Sequence, residues 1–192
     1  MDAAIDVLRT DGYHGASARR IATRAGCNQG LVFYHFGSVA NLLLAALDAV
    51  SADRMERYSA AVSHAASLVE LTDVAAAVFE EDLDSGYAKV LVELIAGGSG
   101  DPAFGAGVAA RMETWTAFAQ SAVTGAVDPM MLAATAPASE VAYAIVALYL
   151  GLEMLSHLDG DRDKALALFG RARTMAALAG ALGIIPTTRG DE

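Results

Sequence analysis

Residues Ser17 to Phe36 constrain this chain more than any other stretch. The Ser17 hydroxyl can cap a helix by accepting from free amides of its first turn. Ile21, Ala22 and Ala25 then recur at helical spacing and give one narrow apolar face, with Arg19, Arg20 and Arg24 pointing away from it. Gly26 can adopt the positive φ that closes a helix, and Asn28 can cap the next one. In that second helix Gly30, Val32 and Phe33 are expected to pack inward or to permit close approach. Gln29, Leu31, Tyr34 and His35 then stand on the outer face. Two short helices about a glycine turn make a helix-turn-helix, whose second helix is shaped for a DNA major groove.

The outer residues have the chemistry for that task. The Gln29 amide both donates and accepts, as a base edge requires, and Leu31 suits a thymine methyl. Ser17, Arg19, Tyr34 and His35 are expected to bind phosphates and set the register, and Asn28 completes the candidate DNA-binding set. His35 has a second reading, as a helix-end residue capping carbonyls. Cys27 reads as a small turn residue rather than a redox sensor.

The run Ile21-Ala22, Ala25-Gly26, Gly30 and Phe33-Tyr34-His35-Phe36 resembles the DNA-binding domain of TetR-family transcriptional regulators. Gly12-Tyr13 upstream and Leu42-Leu43 downstream fit the same pattern. The resemblance spans about the first quarter of the chain, and the rest agrees in length and helical character. It implies a two-domain, all-helical regulator that binds operator DNA as a homodimer and answers to a small molecule. Three departures stand out. The basic arm that usually precedes the first helix does not appear ahead of Asp2, Phe33 lacks the hydroxyl of the usual tyrosine, and Val39 and Ala40 replace a lysine and an acid. The last two remove expected phosphate contacts, and the arm is the part that could reach a minor groove.

The charge balance is uneven. The chain carries a net charge of −10, yet Gly12 to Phe36 holds three arginines and no acid, while Tyr58 onward holds seven basic residues and 17 acids. Phosphate binding depends on local charge, so an acidic body permits it. At 192 residues and 55% hydrophobic composition the chain can bury a substantial core, and its alanine excess favours helix. No apolar run is expected to be long and uninterrupted enough for a membrane span, and no signal peptide is visible. A single cysteine excludes an internal disulfide. A cytoplasmic protein is the simplest expectation.

Along the chain, a first helix is predicted over Asp2–Asp11, ended by Gly12. Ser38 should cap a long helix with Leu42, Leu43, Ala46, Val50 and Met55 on its buried side. Further helices are predicted from Leu68 to Ser85, and from Tyr87 to a stop at Gly97-Gly98. The glycine-rich stretch from Gly97 to Gly107 reads as a flexible loop, because it lacks a phosphate-loop ending and follows no strand. Asp101-Pro102 is a strong helix start. A connection is expected over Gly125–Pro137, then an apolar helix over Glu140–Leu158 ended by Asp159-Gly160. Asp161 should cap a last helix to about Leu182, with Leu166, Phe169 and Met175 inside, before a frayed tail from Thr187.

The prediction is therefore an all-α protein. A helix-turn-helix DNA-binding domain occupies 1–47, and a helical effector-binding and dimerisation domain occupies 48–192. Candidate ligand-binding residues are Met112, Trp115 and Phe118 on one helix and Tyr143, Tyr149, Glu153 and His157 on another. Aromatic and methionine side chains around a few polar groups are how small-molecule pockets are lined. For each of these residues core packing is the competing reading. Glu153 sits in an apolar helix, where an uncompensated carboxylate is costly to bury. It should orient a ligand, pair across subunits or face solvent. His14, His35, His64 and His157 lack metal-ligand spacing, so neither a metal nor another cofactor is expected, and no catalytic constellation is visible. The function expected is a DNA-binding regulator, a repressor released by a small, largely apolar effector. The alternative is a small-molecule-binding or protein-interaction dimer with a weakened DNA head.

Overall fold

A computed structural model of the chain describes residues 1–127 and 136–182. Nine helices and no strand occur among the described residues: α1 (Asp2–Gly15), α2 (Ala18–Ala25), α3 (Gln29–Phe36), α4 (Val39–His64), α5 (Leu68–Ser85), α6 (Tyr87–Gly100), α7 (Pro102–Ala126), α8 (Ala138–Asp159) and α9 (Asp163–Ala181). The all-helical expectation holds. Most of the expected connection at Gly125–Pro137, and the tail from Thr187, lie outside the described residues. Contacts group the chain into two compact units: Met1–Met55 with Ser85–Met112, and Glu56–Asp84 with Glu113–Glu192.

The first unit is built on α1, which packs against both α2 and α6. Ala4, Val7 and Leu8 of α1 are buried, as are Ile21, Ala22, Val32, Leu42, Leu43, Val90, Leu91 and Leu94. Gly12 bends α1 rather than ending it: its φ of 70° and ψ of −177° break the helix, which resumes for one more turn to Gly15. The Tyr13 amide released by that break donates to Glu93 Oε2 of α6 at 2.8 Å.

Gly97 and Gly98 do not stop α6, which continues to Gly100. They are contact surfaces. A Cβ on Gly97 would lie 2.4 Å from the Tyr13 ring, and one on Gly98 would lie 2.9 Å from the Gly105 backbone of α7. The stretch expected as a flexible loop is therefore helix on both sides of Asp101, whose Oδ1 accepts from the amides of Ala103 and Phe104 and so caps α7. The glycines serve close helix approach, a tertiary use that imitates a breaker in sequence.

In the second unit Phe79 of α5 is fully buried between the rings of Tyr149 on α8 and Phe169 on α9, at centroid distances of 5.6 and 5.3 Å. Phe169 thus lies inside as expected. Met175 does not: it is 70% exposed, within a row that includes Leu168 and Leu178 of α9 and Leu182 just beyond its end. Asp161 accepts from the Asp163 amide at 2.9 Å and steadies the start of α9. α8 is also more apolar than anticipated, since over its best stretch its mean hydropathy is 1.6, long and apolar enough by composition to cross a bilayer. Its alanines and leucines outweigh Glu153 and His157 in that average.

Candidate nucleic-acid interface

Local side-chain bonds build the reading motif. Ser17 Oγ accepts from the Arg20 amide at 3.3 Å at the head of α2. Gly26, at φ 66°, closes α2, its amide turning back to Ala22 and Thr23. Asn28 Oδ1 accepts from the Gly30 amide at 2.7 Å and caps α3. Ser38 Oγ accepts from the Asn41 amide at 3.0 Å and caps α4, while Asn41 Nδ2 donates to the Phe36 carbonyl and ties the exit of α3. Four caps in about twenty residues fix two short helices that could not persist alone.

Val32 is the buried anchor of α3, against an α2 face of Ile21 and Ala22. Phe33 was expected inside beside it and is instead 48% exposed, because α3 turns its Val32 edge to α2 and leaves the next position about 100° round the helix outside that contact. Gln29, Leu31, Tyr34 and His35 are all exposed, Tyr34 at 82%. The Tyr34 and His35 rings meet edge to face at 5.0 Å, and His35 caps no carbonyl. Ser17 and Arg19 are exposed on α2 and line an open groove of about 650 Å3 with Arg20, Thr23 and Arg24. Cys27 is exposed at the turn.

The local charge of +3 expected over Gly12–Phe36 is offset from outside that window. Arg20 makes two hydrogen bonds to the Asp11 carboxylate, Nε at 2.6 Å and Nη2 at 2.9 Å. Arg24 pairs with Asp6. Both acids lie on α1, so of the three α2 arginines only Arg19 has no ion-pair partner among the described residues. The Arg20 guanidinium holds the Asp11 carboxyl below the usual carboxylate range, chiefly by hydrogen bonding, and the Asp11 carboxylate raises Arg20 in return.

Residues 1–46 match the family model described as bacterial regulatory proteins, tetR family. Residues 1–46 are thus a DNA-binding domain of the tetR type. The chain carries that match on α1 to α3 and the start of α4. Its fold is shared by the multidrug binding protein EbrR, solved with imidazole, at 25% identity and a TM-score of 0.62 over 89% of this chain and 90% of that one. It is shared too by the regulator FadR from Bacillus subtilis, solved with stearoyl-CoA, at 16% identity and a TM-score of 0.73 over 91% and 94%. The fatty acid degradation regulator FadR from Bacillus halodurans aligns at 14% identity and a TM-score of 0.74 over 91% and 94%. No curated protein matches the sequence.

The expected ligand residues of the chain divide. Trp115, Phe118, Tyr149 and Glu153 belong to the second unit, and Met112 to the first. Trp115 stands 6.2 Å from the Phe118 ring and 6.1 Å from the Tyr58 ring. The Tyr149 hydroxyl donates to Asp82 Oδ2 at 2.8 Å, and the Tyr58 hydroxyl donates to Asp82 Oδ1 at 2.6 Å. Glu153 is 1% exposed, which removes the solvent-facing option. Tyr143, 70% exposed, and His157, also exposed, do not join that interior. They lie on the outer side of α8 because 22 residues of helix carry apolar groups all round, and composition alone does not say which side is inside. Tyr58 and Asp82 were missed by sequence reading. Asp82 lies three residues after buried Phe79, on the same side of α5, and that spacing was the available signal.

Proposed function

We propose that this chain is a repressor that leaves its operator when a small, largely apolar effector binds. DNA reading is assigned to residues 1–47, with Gln29 and Leu31 on bases and Ser17, Arg19, Tyr34 and His35 on phosphates. Asn28 contributes by capping α3. The observation carrying this assignment is the exposed face of α3, whose Gln29, Leu31 and Tyr34 stand outward from a helix fixed by caps at both ends.

Effector binding and dimerisation are assigned to residues 48–192. Trp115, Phe118, Tyr149 and Glu153 supply ligand contacts; of the other sequence candidates, Tyr143 and His157 face outward from α8 and Met112 belongs to the first unit. The half-buried rings of Trp115, Phe118 and Tyr149 and their polar partners favour a mostly apolar ligand. The similar folds solved with stearoyl-CoA or described as multidrug binding support the same class. The exposed apolar rows of α8 and α9 support a homodimer whose two-fold axis presents two reading helices to a palindromic site in the cytoplasm. The effector acts through its different affinities for two body conformations, one of which spaces the reading heads wrongly for adjacent grooves.

Fluorescence anisotropy with the chain's own upstream intergenic duplex against a scrambled duplex tests this reading. Preferential binding that weakens steeply with salt is expected, and a matching effector should reverse it. Absence of preference at low salt would favour a binding dimer with a weakened head.

A further inference from the structure

The DNA-facing groove on α2 is lined by arginines, yet two of them are already engaged. Arg20 presents Nε and Nη2 side by side to the two oxygens of Asp11. Arg24 is held by Asp6, one α1 turn and a residue earlier. A guanidinium binds phosphate with the same planar fork that it uses for a carboxylate. The α1 carboxylates therefore occupy the donors that a DNA phosphate would take. Both guanidinium groups and Asp6 are largely solvent-exposed, and Asp11 is partly so, so the pairs contribute modestly to folding and the arginines can exchange their partner for another anion. Arg19, on the same groove, is held by no acid among the described residues.

We propose that Asp6 and Asp11 attenuate DNA binding by holding Arg24 and Arg20 in ion pairs that the phosphate backbone must displace. This rests on the regulator reading only in taking the α2 groove as DNA-facing. The acids cancel two of the motif's three positive charges. They leave Arg19 as the arginine immediately available for phosphate. The consequence is weak sequence-independent binding, with affinity concentrated on sites where base contacts offset the displacement. A head of this kind discriminates by suppressing its background rather than by adding contacts.

The test measures anisotropy of the full chain on a random-sequence duplex across a salt series, for the wild type, Asp6→Asn, Asp11→Asn, the double variant and Asp2→Asn. A random duplex isolates the phosphate term, so the outcome does not depend on whether an operator is recognised. Each phosphate contact contributes about 0.9 to the slope of log affinity against log salt, so each freed arginine should steepen the slope by about one and tighten binding roughly three- to tenfold near 0.1 M salt. Asp2→Asn, on an exposed α1 acid with no ion pair, should leave the slope unchanged. In an Arg24→Gln background Asp6→Asn should have no effect. Circular dichroism verifies each fold, and Asp11→Ser replaces Asp11→Asn if that variant melts early. Unchanged or weaker binding by the Asp6 and Asp11 variants would overturn the proposal. So would equal tightening by Asp2→Asn, or tightening that survives Arg24→Gln. Lack of preference for the upstream duplex would count against the regulator reading alone.

Discussion

Glu93 Oε2 on α6 accepts the Tyr13 amide of α1 at 2.8 Å, immediately after the Gly12 break. The bond supplies the partner that this amide loses where the helix is interrupted. It also places a carboxylate where a side chain at position 12 would project, since a Cβ on Gly12 would lie 2.8 Å from Glu93 Oε2. A φ of 70° with a ψ of −177° is accessible to almost no residue but glycine. Gly12→Ala should therefore cost about 1–3 kcal/mol from backbone strain, before any displacement of Glu93. Glu93→Ala should cost about 1–3 kcal/mol by leaving the Tyr13 amide without its acceptor. Urea unfolding of both variants measures these losses, and the two should be less than additive because they disturb one contact.

Gly97→Ala tests the close approach of α6 to α1. The added methyl would sit 2.4 Å from the Tyr13 ring, which is itself packed on Phe104 at 5.2 Å. Overpacking of this kind costs roughly 1–3 kcal/mol. Since Gly97 lies inside a helix, where alanine is otherwise preferred, an increase in stability would show that the ring moves aside freely.

These two sites mark where sequence stops being informative. The caps at Ser17, Asn28, Ser38 and Asp101 were legible because each bond spans two or three residues. The Ser17–Phe36 motif was legible because its caps and apolar positions fall in one window. Gly97 and Gly98 were misread as a stop because their neighbours, Tyr13 and Gly105, lie elsewhere in the chain. The pairing of Arg24 with Asp6 was invisible for the same reason, with the partners 18 positions apart. Phe33 and Met175 were placed inside by their apolar character, yet exposure depends on which face a neighbouring helix covers.

The Asp11–Arg20 pair predicts a pH dependence. Hydrogen bonding to Arg20 lowers the folded carboxyl below its ordinary value of 3.8, so the unfolded chain binds that proton more readily. The pair's contribution is then fully present above about pH 3.8 and is lost as pH falls through the lower folded value. Denaturation of wild type and Asp11→Asn should differ by a constant amount at neutral pH, and the difference should shrink only on acidification below that value. A difference that already closes between pH 5 and pH 7 would assign the effect to another group.

Asp82 organises the interior of the second unit. It is buried and accepts from both the Tyr58 and the Tyr149 hydroxyls. Hydrogen bonds to a charged acceptor are worth roughly 1.5–3 kcal/mol, so Tyr149→Phe should destabilise the fold by about that much. Tyr149 also lies edge-on to Phe79 at 5.6 Å, a contact that Tyr149→Phe retains. If Tyr149 contributes to an effector site through its hydroxyl, ligand affinity should fall further than stability, and calorimetric titration beside thermal melts separates the two.

The apolar faces of α8 and α9 provide the last prediction. Leu148, Leu155 and Leu158 on α8, Leu168, Met175 and Leu178 on α9, and Leu182 just beyond its end are all exposed in the single chain. Leu148, Leu155 and Leu158 recur at seven and three residues, a helical stripe, while Glu153 of the same helix is buried within its own unit. α8 thus has an inner side committed to the fold and an outer side that none of the described residues covers. A face of this kind, with its carboxylate turned inward, suits a second copy of the same helices better than a bilayer, which would leave the remainder of the acidic chain unexplained. Leu155→Glu with Leu178→Glu should place like charges in that interface and convert a dimer to a monomer in sedimentation velocity. Circular dichroism should be retained, because neither residue supports the interior. Operator affinity should fall by more than tenfold, since a single head loses the second head's effective concentration. A wild-type chain that sediments as a monomer at every concentration would refute the homodimer, whatever the variants do.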